Sequence, residues 1–253
     1  MSPAPHRIRS AFTLVELLVV VGIIALLIAL LLPVLSNARR SANLTICATN
    51  LRAIGQAAYT YANDFNNLVA RDDYDAKEYF WAILYAKKLT NRSISATDAK
   101  DKDKVIEFLS REKVYHCPAL PEDTTHALHY TANNSRIEQG EWGYPPKGVA
   151  DDFIKLNQLP PGVNPARIAY IVETNYGQMS NDVLSYFDLQ SEAHLMFDTD
   201  GNARGARMIK ASDTRHGGRT PVLFFDSHVE IRDQTPEALP ASLFNPDAAA
   251  KKK

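Results

Sequence analysis

Four sets of side chains are of types that do chemistry. Glu16 stands at the head of a run, Leu17 to Leu35, that carries no charge and is built mostly of Leu, Val, Ile and Ala. A carboxylate at the edge of a membrane-length apolar run is costly to keep, so it reads as a functional group in need of a partner. Cys47 and Cys117 are the 2 cysteines of the chain. They are compatible with one disulfide, if their domain lies outside the cytoplasm, and equally with two buried free thiols. Further on, His216, Asp226 and His228 offer two imidazoles and a carboxylate. Strand alternation places Asp226 and His228 on one face, within reach of a common ion. The plainer reading, which we favour, is that Asp and His beside a turn cap its backbone groups. Asp198, Asp200 and Asn202 have the oxygen-bearing spacing that opens a calcium loop. Ile209 occupies the position where such a loop needs its bidentate acid, so an EF-hand is excluded and an Asp200-Gly201 turn is simpler.

Other candidates fall away on spacing. His116 adjoins Cys117, but no second Cys or His pair stands nearby at the spacing of a zinc site, and His126 and His129 have no Cys or acid in register. The chain has no Gly-x-Ser-x-Gly elbow, phosphate loop, His-Glu-x-x-His or Cys-x-x-Cys, so no motif points to an enzyme. A net charge of −1 over 253 residues gives no broad basic field for nucleic acid. The expected cofactor is none, with calcium at Asp198, Asp200 and Asn202 as the weak exception.

The elements that must position these groups begin with one long helix. At ~1.5 Å per residue the apolar run spans roughly the 30 Å of a bilayer core. Beyond Ser36 the apolar positions narrow to a stripe, Leu44, Cys47, Leu51, Ile54, Ala58, Tyr61 and Phe65, at spacings of three and four. The pattern predicts a single helix from about Phe12 to about Asn63, kinked at Pro33, with turn chemistry at Asn66-Asn67. Two short amphipathic helices follow, at 75–89 and 101–109, and the charged run 98–104 is a solvated face. Residues 134–166 are rich in Gly, Pro and Asn and read as a long surface connection. Strand patterns come last, at 167–173, 194–197, 221–225 and 228–232. The final two are joined by Asp226-Ser227 at the spacing of a two-residue hairpin turn, with Val229 and Ile231 inward and Glu230 and Arg232 wet. Helices followed by an antiparallel sheet make the fold class α+β.

Three readings compete for the N-terminus. A secretory signal peptide fits Arg7, Arg9 and a small-residue site at Ser36-Asn37-Ala38, but its apolar core is shorter than this one. A plain membrane anchor fits the length. Neither explains Glu16. The stretch Ser10-Ala-Phe-Thr-Leu-Val-Glu16-Leu17, with Gly22 and Pro33 beyond it, resembles the class III signal of type IV prepilins and type II secretion pseudopilins. The resemblance implies cleavage between Ala11 and Phe12 by a prepilin peptidase, N-methylation of Phe12, and pairing of Glu16 with the Phe12 amine of a neighbouring subunit. Ala11 replaces the usual Gly before the cut, which implies slower processing. Thr214-Arg-His216 through Asp226-Ser-His228 resembles the His-x9-Asp-Gly ending of large pseudopilin-like families, with Ser227 in place of Gly, and Asn50-Leu-Arg-Ala-Ile-Gly55 belongs to the same resemblance. Some pseudopilins hold calcium in a C-terminal loop, which is the support for the calcium reading.

The resemblance implies a leader at 1–11, a transmembrane and assembly helix at 12–35, and an extracytoplasmic pilin-like domain at 36–253. Implied partners are other pilin or pseudopilin subunits, the prepilin peptidase and N-methyltransferase, an inner-membrane secretion platform and the membrane itself, with no nucleic acid. The expected location is the inner membrane, single-pass, with a cytoplasmic N-terminus. The alternative is a membrane-anchored extracellular enzyme, or a carbohydrate- or metal-binding protein, working through His216, Asp226 and His228. A third reading is an ordinary secreted protein cut after Ala38.

Overall fold

A computed structural model describes residues 13–70, 81–120, 127–133, 153–159, 161–174, 188–189, 215–235 and 237–245. The chain divides into two compact units, Met1–Arg39 and Arg40–Lys253.

Helix α1 runs Leu14–Asp64. Pro33 lies inside it, where its ring forgoes the bond an N–H would give to the Ala29 carbonyl, yet helical structure continues on both sides. The helix stops where Asn66 (φ 54°) and Asn67 (φ 62°) take left-handed backbone. The Asn67 N–H then reaches back 2.8 Å to the Ala62 carbonyl, satisfying an end group that the helix leaves bare. Within the second unit Leu44, Cys47, Leu51, Ile54, Ala58 and Tyr61 are buried, as their spacing predicts. Phe65 departs from that stripe. It is exposed, one residue past the helix end, and stacks on Tyr61 at 4.4 Å.

Helix α2 (Trp81–Thr90) and helix α3 (Lys102–Ser110) follow. Residues 71–80, where the first was predicted to begin, lie outside the described residues. Trp81 and Tyr85 are fully buried. Asp101 caps α3, its side chain accepting from the Asp103 and Lys104 N–H groups. Across the charged run, Lys104 pairs with Asp98 on a half-exposed surface.

Among the described residues, seven strands form two sheets. Strands β1 (Leu68–Ala70) and β3 (Phe153–Lys155) pair antiparallel in a small sheet. The 134–166 region was predicted to be a connection throughout, and β3 corrects this: three extended residues inside it find a partner immediately after α1. The main sheet has the order β5-β2-β4-β6-β7, from β2 (Tyr130–Asn133), β4 (Ala169–Glu173), β5 (Asp188–Leu189), β6 (Arg219–Phe224) and β7 (Val229–Asp233). All its pairings are antiparallel except β2 with β5, so the sheet is mixed at one edge. The predicted strand at 194–197 lies outside the described residues.

Strand β4 is buried along its whole length, because it is covered on both faces. On one face Tyr170 and Ile171 join the core built by α1, α2 and α3. On the other, Ala169 and Val172 meet Val222, Phe224 and a cap of Leu239, Leu243 and Phe244. The first core is tied by buried hydroxyls. Tyr85 and Tyr170 share a 2.7 Å bond, and both reach the Ala70 backbone in β1. Strand β7 differs from its predicted faces. Ile231 is exposed, while Arg232 is half-buried with its guanidinium 5.5 Å over the Phe224 ring, since an edge strand gives a long side chain an aromatic plane to lie on.

The β6–β7 turn is also corrected. Ser227 N–H bonds the Phe224 carbonyl and Phe224 N–H bonds the His228 carbonyl, each at 3.0 Å, which encloses three residues rather than two. The last of them, Ser227, has φ 74°. A type I turn followed by one left-handed residue matches strand twist, which is why three-residue hairpins take this form. The hairpin tip touches α1 where Gly55 has no side chain. A Cβ there would lie 2.7 Å from Leu223 Cδ1 and 3.3 Å from the Ser227 carbonyl oxygen. Gly55→Val therefore overpacks the helix–hairpin contact and should cost about 1–3 kcal/mol of unfolding free energy. The measurement is the thermal midpoint of the full chain in detergent, and an unchanged midpoint would refute the close approach.

Candidate functional site

Thr13 and Glu16 open α1 with a reciprocal arrangement. The Glu16 N–H donates to Thr13 Oγ1 at 3.2 Å, while Glu16 Oε2 accepts from the Thr13 N–H at 2.9 Å and from its hydroxyl at 2.8 Å. This is a capping box, which satisfies two backbone donors that a helix start leaves without partners. The sequence carries its signature, Thr-x-x-Glu, directly before the apolar run. Sequence reasoning nevertheless assigned Glu16 entirely to a partner outside the chain. Both acceptor bonds fall on Oε2, so among the described residues Oε1 stays open to a further donor. Ala11 and Phe12 lie outside the described residues.

The second place is buried in the main domain. Cys47 comes from the inward stripe of α1. Cys117 follows a 3-10 turn at Lys113–Tyr115 and is held by its N–H, which donates to His129 Nδ1 at 2.7 Å. Glu173 ends β4, and His216 stands in the turn before β6. The two Sγ atoms lie 3.1 Å apart, neither cysteine being bonded to the other. His216 Nε2 is 3.4 Å from Cys117 Sγ and 2.9 Å from Glu173 Oε1. Thr220 Oγ1 donates to the second carboxylate oxygen at 3.1 Å. All four residues are at most 2% exposed.

Burial would by itself lower the His216 pKa, but its bonds to Cys117 and Glu173 outweigh burial and raise it to about 9. Burial likewise works to raise Glu173, and the His216 bond with the Arg215 charge holds it below the ordinary carboxylate value. The Cys47 bond to Cys117 leads in holding the Cys117 pKa down to about 6, and the same bond, followed by burial, pushes Cys47 up.

The predicted trio of His216, Asp226 and His228 is not brought together. His216 joins the buried cluster. Asp226 and His228 sit at the exposed hairpin tip, where His228 Nδ1 meets Asp226 Oδ1 at 2.5 Å and the His228 N–H donates to the same oxygen at 3.2 Å. That is the turn-capping role. The His228 ring stacks on Phe224 at 4.3 Å and its Nε2 is 3.3 Å from Glu230. His116 and His129 stack at 4.9 Å, and His126 lies outside the described residues. So do Asp198, Asp200 and Asn202, the calcium candidates. A cleft of about 750 Å³ opens beside β6 and β7, lined by Asn164, Arg167, Phe224, Glu230 and Arg232 among others. Two of its charges pair with each other: Arg232 donates to Glu230 at 2.8 Å, and also to the Ala238 carbonyl at 2.9 Å.

Glu173 is the residue sequence reasoning missed. It ends a predicted strand, and no local motif pairs it with a histidine 43 positions later. Among the described residues, the His, Cys and acidic groups whose ligand atoms converge within 4.8 Å, and so could hold a metal ion, are Cys47, Cys117, Glu173 and His216.

Residues 6–32 match the family model of the prokaryotic N-terminal methylation motif. No curated protein and no solved structure matches the chain. What the match shows is the motif itself, a segment consistent with a prepilin-type cleavage and methylation signal. With the apolar start of α1 it marks a membrane anchor. For the buried cluster, Glu173→Ala strands His216 without its carboxylate. Breaking a buried pair in this way costs about 3–5 kcal/mol. Denaturant unfolding of the full chain should read that loss, and a cost under about 1 kcal/mol, the ordinary value of an exposed pair, would show that the pair is not buried.

Proposed function

We propose that the chain is a structural subunit of a type II secretion-like or type IV pilus-like filament. It is cut between Ala11 and Phe12, N-methylated at Phe12, and polymerised through α1. The observation that carries this reading is Glu16. It sits at the head of a helix whose large apolar residues from Leu14 to Leu35 are 46–78% exposed, inside a segment matched by the methylation motif. A helix that is apolar on every side is suited to lipid and to like helices.

Cleavage before Phe12 would create a new ammonium group one residue from the capping box. In a bundle of such helices, the amine of one subunit and the Glu16 carboxylate of the next attract strongly, because hydrocarbon screens little, and either charge alone is costly there. Register follows from that asymmetry: a helix docked out of step leaves both charges unpaired. The capping box fixes the carboxylate at the helix start, and its open Oε1 is the acceptor for the incoming amine. In this reading the N-terminus faces the cytoplasm and residues 40–253 fold outside the inner membrane, beside the secretion platform and the prepilin peptidase and N-methyltransferase. At the hairpin and the cleft, His228 and Asp226 bond each other and Arg232 bonds Glu230.

Two measurements test this. Mass spectrometry of the mature N-terminus should find Phe12 carrying a methyl group, whereas Arg39 as the first residue would identify an ordinary secreted protein instead. Glu16→Gln keeps an acceptor for the capping box and removes the charge. It should insert in the membrane at the wild-type level and fall at least tenfold in filaments. Incorporation equal to wild type would sink the assembly role of the charge.

A further inference from the structure

The buried cluster goes beyond filament assembly and does not depend on it. We propose that Cys47, Cys117, Glu173 and His216 bind one zinc ion in a closed, four-coordinate structural site. Four donors arrive from four separate parts of the second unit: α1, the segment after Lys113–Tyr115, the end of β4 and the turn before β6. Their ligand atoms all lie within 4.8 Å of one another, with neighbouring pairs at 2.9, 3.1 and 3.4 Å. Zinc bonds of roughly 2.0–2.3 Å set at tetrahedral angles separate donors by roughly 3.3–3.8 Å. The ion is accommodated by shifts of a few tenths of an ångström to about one ångström, some pairs parting and the widest closing.

The chemistry of the set favours zinc. Two thiolates and an imidazole are the ligands this borderline-soft cation prefers, and a carboxylate is an accepted fourth. The outer partners are in place. Thr220 occupies one oxygen of Glu173 and leaves the other, Oε1, facing His216 Nε2 and the sulfurs. The Cys117 backbone is fixed by His129, and Arg215, next to His216 in sequence, is near enough for its positive charge to act on both Cys117 and Glu173. Charges balance: two thiolates and one carboxylate with neutral His216 and a divalent ion leave one negative charge, which the Arg215 guanidinium offsets. Binding releases the thiol protons, and any proton on His216, to solvent. Since all four residues are at most 2% exposed, no position is left for water or substrate, which makes the site structural.

A disulfide between Cys47 and Cys117 is the competing fate of the pair. It would engage two of the four groups and leave the Glu173–His216 pair, with Thr220 on the second carboxylate oxygen, outside the link. One cation engages all four, and joins the inward face of α1 to the sheet where β4 ends and β6 begins.

The test uses the full chain, purified from membranes in detergent without chelator. Zinc is counted by inductively coupled plasma mass spectrometry, and thiols by alkylation of the denatured protein. The expected result is about one zinc per chain with both thiols alkylated, falling at least tenfold in Cys47→Ser and in His216→Ala and unchanged in His228→Ala. Cobalt exchange into the wild type provides a readout that needs no variant: thiolate-to-cobalt charge-transfer absorption together with the visible bands of a tetrahedral ion. Absence of stoichiometric zinc overturns the proposal, whether the thiols are then free or joined in a disulfide. So does zinc that persists in both ligand variants, or an octahedral cobalt spectrum.

Discussion

One helix with two kinds of surface is the constraint on which the rest depends. From Leu14 to Leu35 the apolar side chains of α1 point in every direction and none is buried by the chain itself. From Leu44 onward only a stripe is apolar, and that stripe is the floor of the main core. The two patterns require different surroundings, lipid or like helices for the first and a sheet for the second. The elements of the larger core can be understood as covering the stripe. Helix α2 supplies Trp81 and Tyr85, β4 supplies Tyr170 and Ile171, and the hairpin supplies Leu223 and Phe225. Gly55 sets how close they come, since its bare backbone is what lets Leu223 and Ser227 approach the helix.

At the head of the same helix, Glu16 has two physical roles that sequence logic tends to treat as alternatives. As the third residue of the helix it satisfies backbone donors through Thr13. As a charge at the edge of an apolar segment it demands an opposite charge. The roles are compatible because they use different oxygens, and the first serves the second. A carboxylate pinned by a short local loop loses little further freedom when a cation arrives, so the entropic cost of pairing is already met.

How much of this was legible in the sequence depended on the range of the interaction. The α1 stripe was legible to within a residue or two because helical period is local, and the one misplaced member, Phe65, fails where the helix ends at Asn66 and Asn67. The α+β order and the β6 and β7 strands were legible for the same reason. The faces of β7 were not, since they depend on Phe224 offering a plane to Arg232 across the ladder. The cysteines were recognisable as a pair only by elimination, and it took the fold to bring residues 70 apart into contact. Glu173 was invisible: a glutamate ending a strand looks like solvent exposure, and only the overlying turn with His216 and Thr220 makes it a buried acceptor. His216, Asp226 and His228 show the converse: nearness in sequence is not nearness in space, and the favoured turn-capping reading is the one that describes Asp226 and His228.

Ser227 shows how a local penalty and a tertiary contact offset each other. Its left-handed backbone would suit Gly, and a side chain there costs roughly 1–2 kcal/mol. The side chain, however, donates from Oγ to the Gly55 carbonyl at 2.9 Å, a bond worth about 0.5–1.5 kcal/mol that Gly could not make. The two terms are of similar size, so a serine in place of the glycine is close to neutral for stability. They differ in what they act on. The backbone strain is confined to the turn, whereas the hydroxyl ties the hairpin tip to the helix at the point where Gly55 brings them together. A glycine would make an easier turn with a looser hold on α1. The serine exchanges ease of turning for attachment, in a fold whose strands are organised around that helix.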